Sequence, residues 1–249
     1  MGLLSGLRNS IAFLTILPVG MDREGLSEAA SYMPIYPAIG ALVGLIVGFV
    51  VWALEPFLTP LIAGMIGLGL LLLINGVQHL DGLLDFGDGV MFHGPRTGKL
   101  RVMRDPTTGA GGLALGLVVS SIAAFSIAAL PLHSIILGVI VAEAAANFSM
   151  VLTTGISKAA HRGMGSLFVE AMNEHRLLRI TFSFIILLVI CVLSLRILGL
   201  VVVVGAVLTA SLLAAISSRH FGGITGDVMG ATNEISRTIS LLLIVVFLH

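Results

Sequence analysis

The sequence is poor in cysteine and in charged residues. A single cysteine, Cys191, excludes an intramolecular disulfide and a cysteine-based metal site. Charged residues make up 10% of the 249 residues and hydrophobic residues 57%, with a mean hydropathy of +1.10, all far from the averages of soluble proteins. The 13 acidic and 13 basic residues balance, so net charge gives no reason to expect nucleic acid as a partner. The predicted class is an integral membrane protein embedded in the lipid bilayer.

Long apolar runs predict an all-α, polytopic transmembrane helical bundle. A helix needs about 20 apolar residues to cross a bilayer. The stretch from Leu3 to Leu17 is interrupted by Arg8, Asn9 and Ser10, so we predict an N-terminal interfacial amphipathic helix there rather than a span. We expect one domain over 1–249 with about seven spans, in a range of six to eight. The predicted spans are 37–54, 60–80, 110–130, 134–153, 180–195, 198–217 and the short 238–248.

The basic residues lie almost entirely in alternate connections between these spans. Among the 13 basic residues, only Arg196 lies in one of the other connections. The positive-inside rule therefore places the N-terminus in the cytoplasm, together with the long polar segments 20–36, 75–109, 154–178 and 218–237. We predict a multi-pass membrane protein whose functional site lies at the cytoplasmic face.

Three aspartates, Asp81, Asp85 and Asp88, follow the apolar run 61–74. At about 100° per residue, a helix places all three within roughly 60° of one another, on one face. Like charges repel, and a carboxylate at membrane depth is costly. A hard divalent cation such as Mg²⁺, which prefers carboxylate oxygens, would neutralise such a cluster. The spacing therefore indicates either phosphate chemistry or ion passage.

The rest of the segment 75–109 is rich in cations. Lys99–Asp105 predicts a short basic helix in which Arg101 and Asp105 can pair four residues apart. Asp105-Pro106 has two interpretations that do not exclude each other. Asp105 can be the N-cap of the third span, with Pro106 in its first turn, and it can also be a metal ligand.

Three further features have both a functional and a structural interpretation. Asp227 lies in a glycine-rich segment without a local cationic partner, which indicates a site, or else close helix packing. Lys158 and its neighbours His161 and Arg162 can meet phosphate, or only set the orientation of the chain. Glu143, deep in the fourth span, is a functional candidate or a bridge between helices.

Several blocks in this order resemble one family. They are Asp81-Gly-Leu-Leu-Asp85-Phe-Gly-Asp88-Gly, Lys99-Leu-Arg-Val-Met-Arg-Asp105-Pro-Thr-Thr-Gly-Ala-Gly, Gly222-Gly-Ile-Thr-Gly-Asp227-Val-Met-Gly-Ala, Phe13-Leu-Thr-Ile-Leu-Pro18-Val and Tyr36-Pro-Ala-Ile-Gly40. Together they resemble the cobalamin-5′-phosphate synthases, also called adenosylcobinamide-GDP ribazoletransferases. The chain departs from the pattern at Phe86, Gly87 and Pro106, and none of these departures removes a carboxylate.

The resemblance implies a Mg²⁺-dependent, polytopic inner-membrane enzyme of late cobamide synthesis. The implied reaction transfers the adenosylcobinamide phosphate group from adenosylcobinamide-GDP to α-ribazole or α-ribazole 5′-phosphate. GMP leaves, and adenosylcobalamin or its 5′-phosphate forms. A homodimer and an association with other cobamide-synthesis enzymes are further expectations.

The same resemblance suggests roles for individual residues. Asp81, Asp85 and Asp88 are expected to be catalytic and to hold one or two Mg²⁺, with Asp105 and Asp227 completing the ligands. Asp85 is the expected general base, with His79 and His93 as rivals. The candidates for binding substrate and its phosphates are Arg96, Lys99, Arg101, Arg104, Arg219, His79 and Lys158.

Two other functions stay open from the sequence. Asp85-x-x-Asp88-Gly89 matches the start of the motif of CDP-alcohol phosphotransferases of lipid synthesis, but the rest of that motif does not follow. A divalent-cation transporter would place acids along a path through the bilayer. Here the acids cluster on one side, and only Glu143 lies clearly deep.

Overall fold

The computed structural model describes residues 2–248, and the regular structure of this range is helical. Short 3-10 turns adjoin several of the helices. The helices are α1 (Leu3–Leu14), α2 (Gly25–Ser31), α3 (Tyr36–Leu54), α4 (Pro60–Ile74), α5 (Gln78–Met91), α6 (Arg96–Val102), α7 (Ala110–Ala129), α8 (Ile135–Ile156), α9 (Met164–Asn173), α10 (Arg176–Leu195), α11 (Ile197–Phe221) and α12 (Gly226–Leu248).

Six of these elements are long and apolar enough to cross a membrane, namely those containing α3, α7, α8, α10, α11 and α12. The bent pair of α4 and α5 is a seventh candidate. This confirms the predicted polytopic helical bundle. The predicted basic helix also exists as α6, although it begins at Arg96 and ends at Val102.

The predicted second span, 60–80, is wrong after residue 74. Helix α4 ends at Ile74, and α5 leaves it at an angle of 94°. The corner is a Schellman motif: Gly76 has a φ of 65°, its N–H donates to the Leu73 carbonyl, and the Val77 N–H donates to the Leu72 carbonyl. Helix α5 then packs across the beginnings of α7 and α12, at the polar end of the bundle.

Helix α8 is the centre of the bundle and is buried over almost its whole length. It packs against α3, α10, α11 and α12. Its contact with α3 is close because Gly40, Gly44 and Gly48 present no side chains there. A Cβ on Gly44 would lie only 2.7 Å from the Ile140 Cα.

The last span is longer than the sequence predicted, because α12 begins at Gly226 rather than near residue 238. The polar connection before it is therefore only 222–225, and Arg237 is not a loop cation. Its side chain is completely buried and forms ion pairs with Glu143 and Glu234. The Asn233 amide oxygen accepts a further bond from Arg237 at 2.9 Å. Glu143 thus bridges α8 to α12, which is the structural one of its two predicted roles.

The polar end of the bundle is covered by α1, α2, α5, α6 and α9. The end of α1 is attached to the α4–α5 corner, because Gln78 donates to the Phe13 carbonyl at 2.8 Å and the Ile16 N–H donates to the Ile74 carbonyl at 2.8 Å. A backbone bridge pairs Ala159 with Ile224, so the loop before α9 lies beside the start of α12. These contacts hold the end of α1 against the start of α5, and the loop before α9 against the start of α12.

Candidate active site

A cavity of about 310 Å³ lies where these segments meet. Its walls come from the end of α1, the first turn of α5, the loop after α6, the middle of α8, the loop before α9 with the first residue of α9, and the first turns of α12. The polar part of the wall consists of Gln78, His79, Asp81, Arg104, His161, Thr225 and Asp227. The apolar part consists of Phe13, Met150, Met164 and Met229, with Gly226 and Gly230 between them.

Asp81 and Asp227 face this cavity from two helices that touch at glycines. A Cβ on Gly82 would lie 2.8 Å from the Asp227 carbonyl oxygen, and one on Gly230 would lie 3.0 Å from the His79 carbonyl oxygen. Any larger residue at Gly82 or Gly230 would therefore push α5 away from α12. The Thr225 hydroxyl donates to the Asp227 carboxylate at 3.1 Å and accepts from the Val228 N–H at 3.2 Å. Thr225 thereby caps α12 and orients Asp227 together.

Asp85 lies one turn further along α5 and is half-buried. Burial is the main cause that raises the pKa of Asp85 to about 7, and the negative charges of Asp227, Asp81 and Asp88 contribute to the same rise in that order. The predicted clustering of the aspartates is therefore confirmed, and the cluster includes Asp227 from α12. Four carboxylates within electrostatic reach of one another favour a bound cation.

Asp88 belongs to this cluster, but both of its oxygens are already engaged. They accept the backbone N–H groups of Gly109 and Gly112, each at 2.7 Å, so Asp88 caps the beginning of α7. The prediction that Asp105 caps this span is wrong, because α7 begins at Ala110 and receives its cap from another helix. Asp88 retains lone pairs, and its part in metal binding stays a prediction.

Asp105 lies on the exposed loop between α6 and α7 and bonds within that loop. Its carboxylate accepts the Thr107 N–H at 3.0 Å and the Thr107 hydroxyl. These bonds to Thr107 are the main reason that the pKa of Asp105 lies below its usual range. The predicted pairing of Asp105 with Arg101 is wrong, since no ion pair joins the two side chains in the described range.

The carboxylates do not form a closed metal cage. Within residues 2–248, no three acidic, histidine or cysteine side chains converge tightly enough to hold one ion between them. Mg²⁺ does not require such a cage, because it keeps several waters and usually takes one or two carboxylates together with substrate phosphates. The donor chemistry of Asp81 and Asp227 fits that mode of binding.

The predicted phosphate-binding cations separate into groups. Arg104 reaches the cavity. Lys99 instead donates to the carbonyls of Gly89, Val90 and Phe92 at the end of α5, which uses all three of its donors. Lys99 therefore caps α5 and has no donor left for phosphate in this conformation.

Four other predicted cations lie outside this cavity. Arg96 donates to the Arg219 carbonyl at 3.3 Å, and both side chains line a separate surface depression beside Lys99. Arg101 is exposed on α6. Lys158 lines another depression with Arg176, Ser157 and Ser218. The structure thus leaves one predicted cation, Arg104, in direct reach of the aspartates.

His79 lines the cavity although only 6% of it is exposed. Burial is the main reason that the pKa of His79 falls to about 3, so its ring is neutral at physiological pH. A neutral ring can donate a hydrogen bond to phosphate but adds no charge. His93, the other histidine considered as a base, is exposed near the end of α5 and does not line the cavity.

Sequence reasoning missed most of the apolar wall. Phe13 lies in one of the recognised motifs, and that signal pointed to it without indicating a role. Met229 likewise lies in a recognised motif that indicated no role for it, and Met150 lies in an apolar helix without a local signal. His161 and Thr225 stand in polar segments that were considered, yet only the packing of the α9 loop against α12 brings them to the aspartates.

Comparison with known proteins shows the family of this chain. The family model for cobalamin-5-phosphate synthase matches residues 6–245. A protein of Methanococcoides burtonii named adenosylcobinamide-GDP ribazoletransferase is 33% identical over 255 residues, covering 98% of this chain and 93% of the relative. A protein of the same name from Pyrococcus abyssi is 34% identical, covering 96% of this chain and 97% of the relative. No solved structure matches the chain. On the full-length family match and these identities, the chain belongs to the cobalamin-5-phosphate synthase family.

Proposed function

We propose that this enzyme transfers the adenosylcobinamide phosphate group from adenosylcobinamide-GDP to α-ribazole or α-ribazole 5′-phosphate in a Mg²⁺-dependent reaction. The observation that carries the proposal is the pair Asp81 and Asp227, which face one cavity with Asp85 beside them. The names and full-length similarity of the relatives support the substrates. The carboxylate chemistry supports the metal.

Asp81 and Asp227 are the proposed ligands of Mg²⁺, with Asp85 and Asp88 close enough to add to the negative field. When bound, the metal would neutralise the diphosphate and stabilise the charge of the leaving GMP. Arg104 and His161 line the same cavity and supply further donors toward phosphate oxygens. Asp105, Arg96, Arg101, Arg219 and Lys158 line other surfaces, so we give them no part in the chemical step.

Asp85 is the proposed general base. A hydroxyl of the acceptor ribose attacks the phosphorus nearer cobinamide, a new P–O bond forms, and the anhydride bond to GMP breaks. The hydroxyl proton goes to a carboxylate, and a pKa near 7 suits Asp85 for that transfer at neutral pH. His79 contributes position rather than charge, because it is buried and neutral.

The transporter alternative has little support from the bundle interior. Glu143 is the acid that could have marked a path through the membrane, and it is completely engaged by Arg237. A CDP-alcohol phosphotransferase of lipid synthesis would carry out the same chemistry at a similar acidic site. Only a test of substrates, and not the geometry of the site, distinguishes that function from the proposed one. The cytoplasmic orientation, the inner-membrane location and the homodimer also stay predictions.

The test is release of GMP by the purified protein in liposomes. The reaction contains adenosylcobinamide-GDP, α-ribazole 5′-phosphate and Mg²⁺, with EDTA as the metal control and Asp85→Asn as the inactive variant. Arg162→Gln, an exposed cation on the loop before α9, is the matched control and should retain activity. We expect metal-dependent GMP release and a cobamide product identified by mass.

Other outcomes decide between the alternatives. Release of CMP from a CDP-alcohol, with no reaction of adenosylcobinamide-GDP, would move the protein to lipid synthesis. Full activity in EDTA would contradict the metal dependence. Full activity of Asp85→Asn would remove Asp85 from the role of base.

A further inference from the structure

The lining of the cavity divides into two kinds of side chain. Asp81, Asp227 and Arg104 are the charged half of this lining, and Phe13, Met150, Met164 and Met229 are the apolar half. Met150 is 1% exposed and Met229 is 2% exposed, so both belong to the packed interior and present a fixed apolar surface. Such a division suits a ligand that has one charged end and one apolar end.

Phe13 supplies the aromatic ring of the apolar half, and contacts on several sides hold it in place. Its ring packs against that of Phe168 with centroids 4.9 Å apart, and against that of Tyr36 at 6.3 Å. The Gln78 side chain donates to its carbonyl oxygen. An aromatic ring that is already positioned loses little entropy when a planar ligand stacks on it.

The volume limits which part of the substrates can enter. A cavity of about 310 Å³ is at the small end of ligand sites and is comparable with a nucleoside. A corrin ring with its adenosyl group is several times larger and must remain outside. Of the two heterocyclic bases in the reaction, guanine carries donors and acceptors along its edge, and burying them against methionine would be costly. The benzimidazole-type base of ribazole is largely apolar.

We propose that the base of the acceptor ribazole binds between Phe13 and the methionines Met150, Met164 and Met229. This inference rests on the proposed function. A base in that position directs its ribose across the cavity toward Asp81 and Asp227, where the phosphoryl group is transferred. Helix α1 therefore presents the base-recognition residue, in addition to any contact it makes with the membrane surface.

The experiment measures the KM of each substrate separately. Phe13→Ala should raise the KM for α-ribazole 5′-phosphate about tenfold, the usual scale of one lost base–aromatic contact, while the KM for adenosylcobinamide-GDP changes by less than about twofold. Phe13→Trp should restore most of the affinity for the acceptor. Met164→Ala, at a side chain that is 48% exposed, gives the same direction of change without disturbing the core. Phe125→Ala, on the outer surface of α7, is the control.

Equilibrium binding gives a second readout that does not depend on turnover. Calorimetric titration of α-ribazole 5′-phosphate should show weaker binding to Phe13→Ala and Met164→Ala than to the wild-type protein and Phe125→Ala. Unchanged acceptor affinity in both cavity variants would overturn the inference and leave the proposed function intact. A raised KM for adenosylcobinamide-GDP instead would place guanosine in the cavity and would also overturn it. Failure of the proposed function itself appears separately, as absence of GMP release by the wild-type protein.

Discussion

Asp85 and Asp88 lie three residues apart on one helix, yet their surroundings give them different tasks. Asp88 accepts two backbone N–H groups, which compensate its charge and connect α5 to α7. No hydrogen bond within the described range compensates Asp85, and its neighbours are other carboxylates. At this scale the difference between a structural and a reactive carboxylate is the number of donors around it.

Asp85→Asn should abolish turnover and stabilise the metal-free protein at alkaline pH. Because the pKa of Asp85 is raised in the folded protein, ionising this carboxyl lowers the free energy of unfolding. The loss is absent below about pH 4, where the carboxyl is protonated in both the folded and the unfolded protein. The loss is fully present once the pH has risen through about 7. After solvent screening, we expect a gain of about 1–2 kcal/mol in the free energy of unfolding at pH 8 and a smaller gain at pH 5. Thermal unfolding in detergent with EDTA measures it, and a gain that does not depend on pH would contradict the argument.

Asp88→Ala should destabilise the protein much more than Asp81→Ala. The first variant leaves the N–H groups of Gly109 and Gly112 without partners, which costs about 1–2 kcal/mol. The second removes an exposed carboxylate that makes no hydrogen bond within residues 2–248, and should cost no stability. Denaturation of both variants in the same detergent makes the comparison, and equal losses would mean that Asp88 is not a significant cap.

At the scale of elements, close helix contacts decide where the functional side chains lie. Helix α8 is enclosed by four neighbours, and the glycines of α3 allow one of them to approach closely. The buried Arg237 joins α8 to α12 through its ion pairs with Glu143 and Glu234. Because α12 carries Asp227 at its beginning, the packing of α8 and α12 also sets the position of one wall of the cavity.

Gly44→Ala and Gly69→Ala form a matched pair for this packing. A Cβ at Gly44 would meet the backbone of α8 at 2.7 Å, whereas one at Gly69 would meet nothing within 4 Å. We expect Gly44→Ala to cost about 1–3 kcal/mol by forcing the helices apart. Gly69→Ala should be neutral or stabilising, since alanine is the better helix former by about 1 kcal/mol. Thermal unfolding of the two variants measures both changes in stability. Similar changes in the two variants would show that the α3–α8 contact is loose.

The bounds of a helix could be predicted from the sequence where hydropathy alone sets them. They could not be predicted where contacts with distant parts of the chain set them. The spans of α3, α7, α8, α10 and α11 follow from their apolar runs. The beginning of α12 does not, because Glu234 and Arg237 are charged and resemble loop residues until the ion pair of Arg237 with Glu143, on another helix, is known. The corner after α4 carries Gly76 as a signal, but the angle of α5 depends on its packing against α7 and α12.

At the scale of the whole molecule, polar chemistry is concentrated at one end of the bundle. The cavity and the cationic depressions lie there, around α5, α6, α9 and the beginning of α12. Charge distribution in the sequence predicts that this end faces the cytoplasm. Removing Arg237 from the count of loop cations leaves that bias in place, since the other basic residues of the alternate connections still outnumber Arg196.

The orientation can be measured because the chain has one cysteine and it is completely buried. Thr97→Cys places a thiol on the exposed surface of α6, and His133→Cys places one at the opposite end. We expect a membrane-impermeant maleimide to label Thr97→Cys only in inverted vesicles and His133→Cys only in right-side-out vesicles. The reverse pattern would place the active site outside, and wild-type protein should stay unlabelled in both.

Local patterns in the sequence are sufficient to predict the class of protein, most of its spans, the aspartates at the membrane boundary and the family. These follow from hydropathy, helical spacing and motifs, which act over a few turns of one helix. Only the packed helices show that Asp88 and Lys99 cap helices, that Arg237 is buried, and that Phe13 lines the same cavity as Asp81 and Asp227. The partners of Asp88 lie 21 and 24 residues away, Phe13 lies 65 residues from Gln78, and Arg237 lies 94 from Glu143. No local pattern specifies such contacts, because they exist only once the helices have packed.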